Sequence, residues 1–170
     1  MTTIRISILT ISDRSFQGER PDLSGPALVR EIETLGWELV ETVIVPDDFP
    51  SICAVLVDWC NADQVDVILT TGGTGFSKRD ITPEATLSVV ERVIPGFTEA
   101  MRYESLKITP HAMLSRAVAG IRNKTMIINL PGSPKAAIEN LKVILPVIPH
   151  AVQILNDDPL SEIGHTGAVT

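Results

Sequence analysis

Apolar residues recur along the chain in two periods, and the alternation between them sets the expected elements. Residues 4–11 form a β-rich run closed by Ser12-Asp13, and Leu28, Ile32 and Leu35 then recur at i, i+4 and i+7 until Gly36. Strand is followed by helix. Residues 37–45 predict a second strand ending at Pro46, and Ile52, Val55, Leu56 and Trp59 make the stripe of a second helix. Residues 65–71 are a nearly continuous apolar run, suited to a third strand buried on both faces. After the glycines at 72–75, Thr82 is placed as an N-cap with Pro83 at the first helical position. The helix it opens is expected to be lined by Leu87, Val90 and Ile94 and broken at Pro95-Gly96. Further helical pieces are expected over about 97–106 and 110–118, then a fourth strand over 125–130 ending at Pro131-Gly132. Ala137, Leu141, Ile144 and Leu145 line a last helix, which Pro146 and Pro149 divide from a short final segment. Strand and helix alternate throughout, which predicts a three-layer α/β fold with a mainly parallel sheet.

The chain's 170 residues amount to one domain, expected over residues 1–155, with a tail over 156–170 that shows little periodicity. A hydrophobic share of 44% excludes a disordered chain. Lys and Arg number 14 against 21 Asp and Glu, a net charge of −7 that argues against non-specific nucleic-acid binding. An anionic substrate would therefore need a metal ion or a local cluster of donors. Cys53 and Cys60 lie about 10 Å apart along a helix axis, too far to pair, and show no metal-ligand spacing. They read as core thiols of a protein in a reducing compartment. No apolar run reaches membrane-span length and the first residues lack a signal-peptide layout, so a cytoplasmic location is expected.

In an open α/β sheet, ligands bind outside the carboxyl ends of the strands. The unusual polar groups fall there: Ser12-Asp13 after the first strand, Asp47-Asp48 after the second, Thr71-Gly72-Gly73-Thr74-Gly75 with Asp80 after the third, and Pro131-Gly132-Ser133-Pro134 after the fourth. The GGTG loop lets backbone N–H groups approach phosphate oxygens without a Cβ in the way, although the same four residues also make an ordinary tight turn. Ser133 before Pro134 reads either as an anion site at a helix N-terminus or as a plain cap. Asp47 and Asp80 stand where carboxylates and a substrate phosphate would hold Mg²⁺, whereas Asp48 reads more simply as a cap. Arg14, Lys78, Arg79, Arg116 and Lys135 offer local positive charge or mere surface solubility, and none of His111, His150 and His165 is assigned a role. Residues 12–23, with Gly18 and Pro21, are a candidate lid over the crevice.

The segments SDRS at 12–15, VPDD at 45–48, TTGGTGFSKRDITPEAT at 70–86, ESLKITPHAMLSRAVAGIR at 104–122 and INLPGSPKA at 128–136 closely resemble the molybdopterin adenylyltransferase family. The resemblance runs from about residue 4 to residue 155. It implies a molybdopterin-binding α/β domain, commonly a homotrimer, that transfers AMP from Mg-ATP to the terminal phosphate of molybdopterin and releases pyrophosphate. On the resemblance, Asp47 and Asp80 match the acidic residues needed for adenylylation and for Mg²⁺. Gly72, Gly73, Thr74 and Gly75 match the phosphate-receiving loop, and Pro131, Gly132 and Ser133 the nucleotide-side turn. Ser105, Ser115 and Arg116 lie in the segment that resembles the family's pterin-side wall. A molybdenum-insertion protein is the implied acceptor of the product. The alternative is a pterin-binding paralogue or carrier with weak or no adenylyl transfer.

Overall fold

A computed structural model of the protein describes residues 3–157; all of the expected tail beyond Asn156 and Asp157, His165 included, lies outside the described residues. Strand β1 (Arg5–Ile11) leads through a short helix α1 (Asp13–Phe16) into α2 (Ser24–Thr34), β2 (Glu38–Val45), α3 (Phe49–Asn61) and β3 (Val67–Thr71). Then come α4 (Thr82–Val89), β4 (Arg92–Val93), α5 (Pro95–Leu106), a 3-10 turn (Pro110–Leu114), β5 (Ala119–Arg122), β6 (Thr125–Leu130), α6 (Pro134–Ile144) and α7 (Ile148–Leu155). The sheet order is β2-β1-β3-β6-β5-β4. Strands β2, β1, β3 and β6 run parallel, and β5 and β4 add an antiparallel edge.

Two cores sandwich this sheet, and the strands feed them alternately because successive side chains point to opposite faces. Ile6, Ile8, Val67, Leu69, Met126 and Ile128 face one core with α2, α5, α6 and α7, while Leu9, Ile11, Ile68 and Ile127 face the other with α3 and α4. The three-layer α/β fold with a mainly parallel sheet is thus what the chain adopts. Every residue of β3 is buried, as its continuous apolar run requires. Cys60 is buried and Cys53 half-buried, both free, and burial pushes the Cys60 thiol up to about 11. Among the described residues no single helix is long and apolar enough to cross a membrane.

The elements depart from expectation between residues 82 and 122. The helix opened at Thr82 stops at Val89; Val90 is already extended, with φ −73 and ψ 148, and Leu87 points outward. The β-branched run Val89, Val90, Val93 and Ile94 favours extension, and Pro95 disfavours a helical Ile94. Instead of closing a helix, Pro95 opens α5. The helical piece expected through residue 118 ends at Leu114, and residues 119–122 pair with β6 through a two-residue turn at Asn123, whose φ is +52. A four-residue strand containing glycine has too little pattern to be read ahead of its partner.

Candidate functional site

The carboxyl ends of the four parallel strands open onto one crevice of about 640 Å³. Ser12, Asp13, Asp47, Thr71, Gly72, Gly73, Asp80, Gly132 and Ser133 line it together, so residues up to 121 positions apart in sequence share one wall. Thr10, Asp22, Arg14, Arg20, Ser77 and Arg79 are also in the lining. Asp22 gave no signal in the sequence. Its carboxylate accepts hydrogen bonds from the Thr10 hydroxyl at 2.7 Å and from the N–H groups of Ser24 and Gly25 at 3.0 and 3.1 Å, starting α2 and fixing the crevice rim.

The glycine loop is shaped by contact with its neighbours. Gly72 adopts φ +101, and a Cβ there would lie 2.3 Å from the Ile11 carbonyl oxygen; Gly73 adopts φ +63, and its Cβ would lie 2.3 Å from Thr82 Oγ1. Thr82 does not cap α4 with its side chain. Its hydroxyl donates to the Gly72 carbonyl at 2.9 Å, while the Thr71 hydroxyl donates to the Pro131 carbonyl at 2.8 Å, so the third and fourth strand-end loops are stitched together. Beneath them Asn129, fully buried, donates from Nδ2 to Thr70 and Thr86 hydroxyls at 2.9 Å each and accepts the Val118 N–H at 3.1 Å. Ser133 is the N-cap of α6 with Pro134 next, and its side chain makes no capping bond, which leaves the first N–H groups of that helix facing the crevice side.

Asp13 and Asp47 exchange reciprocal bonds: Asp13 N–H donates to Asp47 Oδ2 at 2.8 Å, and Asp47 N–H donates to Asp13 Oδ1 at 2.9 Å. Burial pushes the Asp47 carboxyl above its ordinary value, and the negative charges of Asp13 and Asp80 add to that; the bond from Asp13 and the charge of Arg79 oppose it. Asp80 Oδ2 accepts the Ser77 N–H at 2.9 Å, closing the turn before α4. Asp48 caps α3, accepting from Ser51, which holds its carboxyl below the ordinary value. The short helix α1 (Asp13–Phe16), capped by Ser12, anchors one end of the segment expected to act as a lid.

The other expected residues lie beside this crevice. Ser105 and Ser115 line a second cavity of about 220 Å³ with Met101, Ile108, Ala117 and Asn140, and Pro131 lines it too. Asn140 Nδ2 donates to the Ser105 hydroxyl at 3.2 Å. Thr74, Gly75 and Arg116 line neither cavity. The Arg116 guanidinium grips the loop from behind: Nε donates to the Gly75 carbonyl at 2.7 Å, Nη2 to the Asp80 carbonyl at 2.5 Å, and Nη1 pairs with Glu84. That pairing holds the Glu84 carboxyl below its ordinary value. The Arg116 N–H also donates to the Thr74 carbonyl at 2.9 Å.

A glycine-floored, carboxylate-rimmed crevice at the carboxyl ends of parallel strands places this molecule among the open α/β proteins that bind their ligands at strand ends. Similarity to known proteins narrows that class. The family described as "Probable molybdopterin binding domain" matches residues 7–150, and the chain belongs to it. It is 46% identical over 160 residues to the molybdopterin adenylyltransferase of Helicobacter pylori strain J99, covering 91% of this chain and 89% of that protein. It is also 46% identical over 168 residues to the gephyrin of Dictyostelium discoideum, covering 93% of this chain but only 23% of that longer protein. The crystal structure of the molybdopterin biosynthesis enzyme MoaB from Thermus thermophilus superposes with a TM-score of 0.86 at 46% identity, covering 92% of this chain and 99% of that one.

Proposed function

We propose that the chain is a molybdopterin adenylyltransferase of molybdenum cofactor biosynthesis, transferring AMP from ATP to the terminal phosphate of molybdopterin with release of pyrophosphate. The observation that supports it most is the meeting of Asp47, Asp80, the glycine loop and the α6 N-terminus around one crevice, with a smaller, mainly apolar cavity sharing Pro131 beside it. The large crevice suits the nucleotide. The smaller cavity, with Ser105 and Ser115, suits the pterin end of the acceptor.

The site fits Mg²⁺. Asp47 and Asp80 each commit one oxygen to a backbone N–H and keep the other for a ligand. No group of three or more His, Cys, Asp or Glu side chains able to hold a metal occurs among the described residues, so substrate phosphates would complete the coordination, the usual way Mg²⁺ is held. When bound, the ion supplies charge neutralisation on the phosphates. In the reaction a phosphate oxygen of the acceptor attacks the α-phosphorus of ATP and the bond to pyrophosphate breaks. In-line positioning and charge stabilisation suffice for that step, with no covalent protein intermediate. Asp47 and Asp80 together would hold the ion against the substrate phosphates, each through its uncommitted oxygen. The Gly73 N–H receives a phosphate oxygen, since the Gly72 N–H donates to the Leu130 carbonyl at 3.3 Å and Thr74 and Gly75 lie outside the crevice lining; Gly132 and Ser133 stand on the nucleotide side and Ser12 and Asp13 at the crevice edge. We assign this work to residues 1–155 acting in the cytoplasm, in a homotrimer, with a molybdenum-insertion protein as the product's acceptor.

The test is pyrophosphate release and adenylylated-pterin formation from Mg-ATP, with and without molybdopterin, with Asp80→Asn as control. Pterin-dependent product that is lost in the variant supports the assignment. Molybdopterin binding without product makes the chain a carrier, and pyrophosphate release indifferent to molybdopterin makes it a different nucleotide hydrolase.

A further inference from the structure

Arg79 lies on the loop between β3 and α4 and lines the large crevice with Ser77 and Asp80. Its guanidinium sits in a fork on Asp13, with Nε donating to Oδ2 at 2.9 Å and Nη2 to Oδ1 and Oδ2 at 2.9 and 2.7 Å. The pair spans from the end of β1 to the glycine-loop side, beside the space that the reading above gives to the nucleotide.

Three features mark the contact as exchangeable. The Arg79 side chain is 62% exposed and that of Asp13 30%, and an ion pair so open to water is held weakly. Asp13 does not depend on it, because Asp13 Oδ1 also accepts the Asp47 N–H at 2.9 Å. A guanidinium fork matches two phosphoryl oxygens as well as it matches a carboxylate. The charge balance supplies the reason for exchange. Asp13, Asp22, Asp47 and Asp80 line the crevice against Arg14, Arg20 and Arg79, and the Arg79 charge serves an entering polyphosphate only when its fork turns from Asp13 to the phosphoryl oxygens.

We propose that Arg79 is a polyphosphate-binding residue held in reserve on Asp13, and that an arriving nucleotide replaces the Asp13 carboxylate with its own phosphoryl oxygens. The inference rests on the adenylyl-transfer reading for the identity of that nucleotide. It separates Arg79 from the surface cations Lys78 and Lys135. It also gives Asp13 a second task, holding the fork open to the crevice in the absence of ligand.

The experiment titrates the full chain with inorganic tripolyphosphate and, separately, with adenosine, both in Mg²⁺ buffer without molybdopterin. Arg79→Ala is expected to weaken tripolyphosphate about tenfold, the loss of one strong charge-assisted contact, and to leave adenosine unchanged. Arg79→Lys is expected to recover part of the loss, since it restores the charge without the fork. Asp13→Asn is expected to tighten tripolyphosphate, because the fork is freed and one carboxylate is removed. Unchanged tripolyphosphate affinity in Arg79→Ala overturns the proposal, as does a parallel loss of both ligands with a fallen melting temperature, which would make the pair a structural strap. Product formation by the wild-type protein alongside an unchanged Arg79→Ala affinity removes this inference alone. An Arg79-dependent tripolyphosphate site in a chain that makes no adenylylated pterin removes the adenylyl-transfer reading and leaves the site.

Discussion

Replacing Arg116 by alanine cuts three arms of one guanidinium that ties the glycine loop to the start of α4. Two arms end on backbone carbonyls, Gly75 at 2.7 Å and Asp80 at 2.5 Å, and the side chain itself is only 34% exposed. Each such bond contributes about 1 kcal/mol net, and its loss strands a carbonyl that water reaches only partly. The third arm goes to Glu84, which is half-exposed, so it is discounted to at most about 1 kcal/mol. The sum is about 3 kcal/mol, which for a chain of this length lowers the melting temperature by roughly 6–12 °C. The pH dependence separates the arms. Arg116 holds the Glu84 carboxyl below its ordinary value, so that arm stabilises the fold above the unfolded-state value and is lost as pH falls through the folded one. The gap between wild type and Arg116→Ala should therefore narrow on acidification by the Glu84 share and keep the carbonyl share. Thermal unfolding of Arg116→Ala, Glu84→Gln and the double variant from neutral pH down to about pH 3 measures this. A gap under about 2 °C at neutral pH, less than one arm is expected to give, would mean that the guanidinium does not hold the loop. A gap that does not change with pH would mean that the Glu84 arm contributes nothing.

Two further outcomes follow from the same geometry. Asp47→Asn should melt at or above the wild type at neutral pH while losing turnover: burial raises the Asp47 carboxyl, so its contribution favours the fold below the unfolded-state value and is lost as pH rises through the folded one. An amide oxygen still accepts the Asp13 N–H, so thermal unfolding at acid and at neutral pH should show the variant's advantage only at the higher pH. Asn129→Ala should cost about 3 kcal/mol or more in urea unfolding, because it leaves the Val118 N–H and the hydroxyls of Thr70 and Thr86 without their partner in a fully buried site.

The central parallel strands were legible because burial on both faces or alternation across two cores leaves a period or a run that short-range pattern detects: residues 65–71 and 125–130 are of this kind. The antiparallel edge was not. β4 has two residues and β5 four, and each is extended because it pairs with a neighbour whose place is set by the fold. The same holds within the site. Asp47, Asp80, the glycines and Ser133 stood out because turn chemistry concentrates at strand ends, whereas Asp22 looked like one of many exposed acids until Thr10 and the start of α2 closed on it. Thr82 shows the limit from the other side, since a hydroxyl before Pro83 signals a cap locally and yet donates to Gly72 once the loop folds over it.

Most of the order of elements, the alternation that makes a three-layer α/β sheet, and the four strand-end loops from which a site would be built are written in the chain itself. Those properties depend on hydrophobic period and on residues with restricted backbone choices, and both are local. Which groups face one another across the crevice emerged only on folding: Arg79 on Asp13, Asp13 on Asp47, and Arg116 behind the loop rather than in either cavity. Hydrogen bonds between residues 34 to 66 positions apart are made by the packing of strands and helices, and no period along the chain encodes their partners.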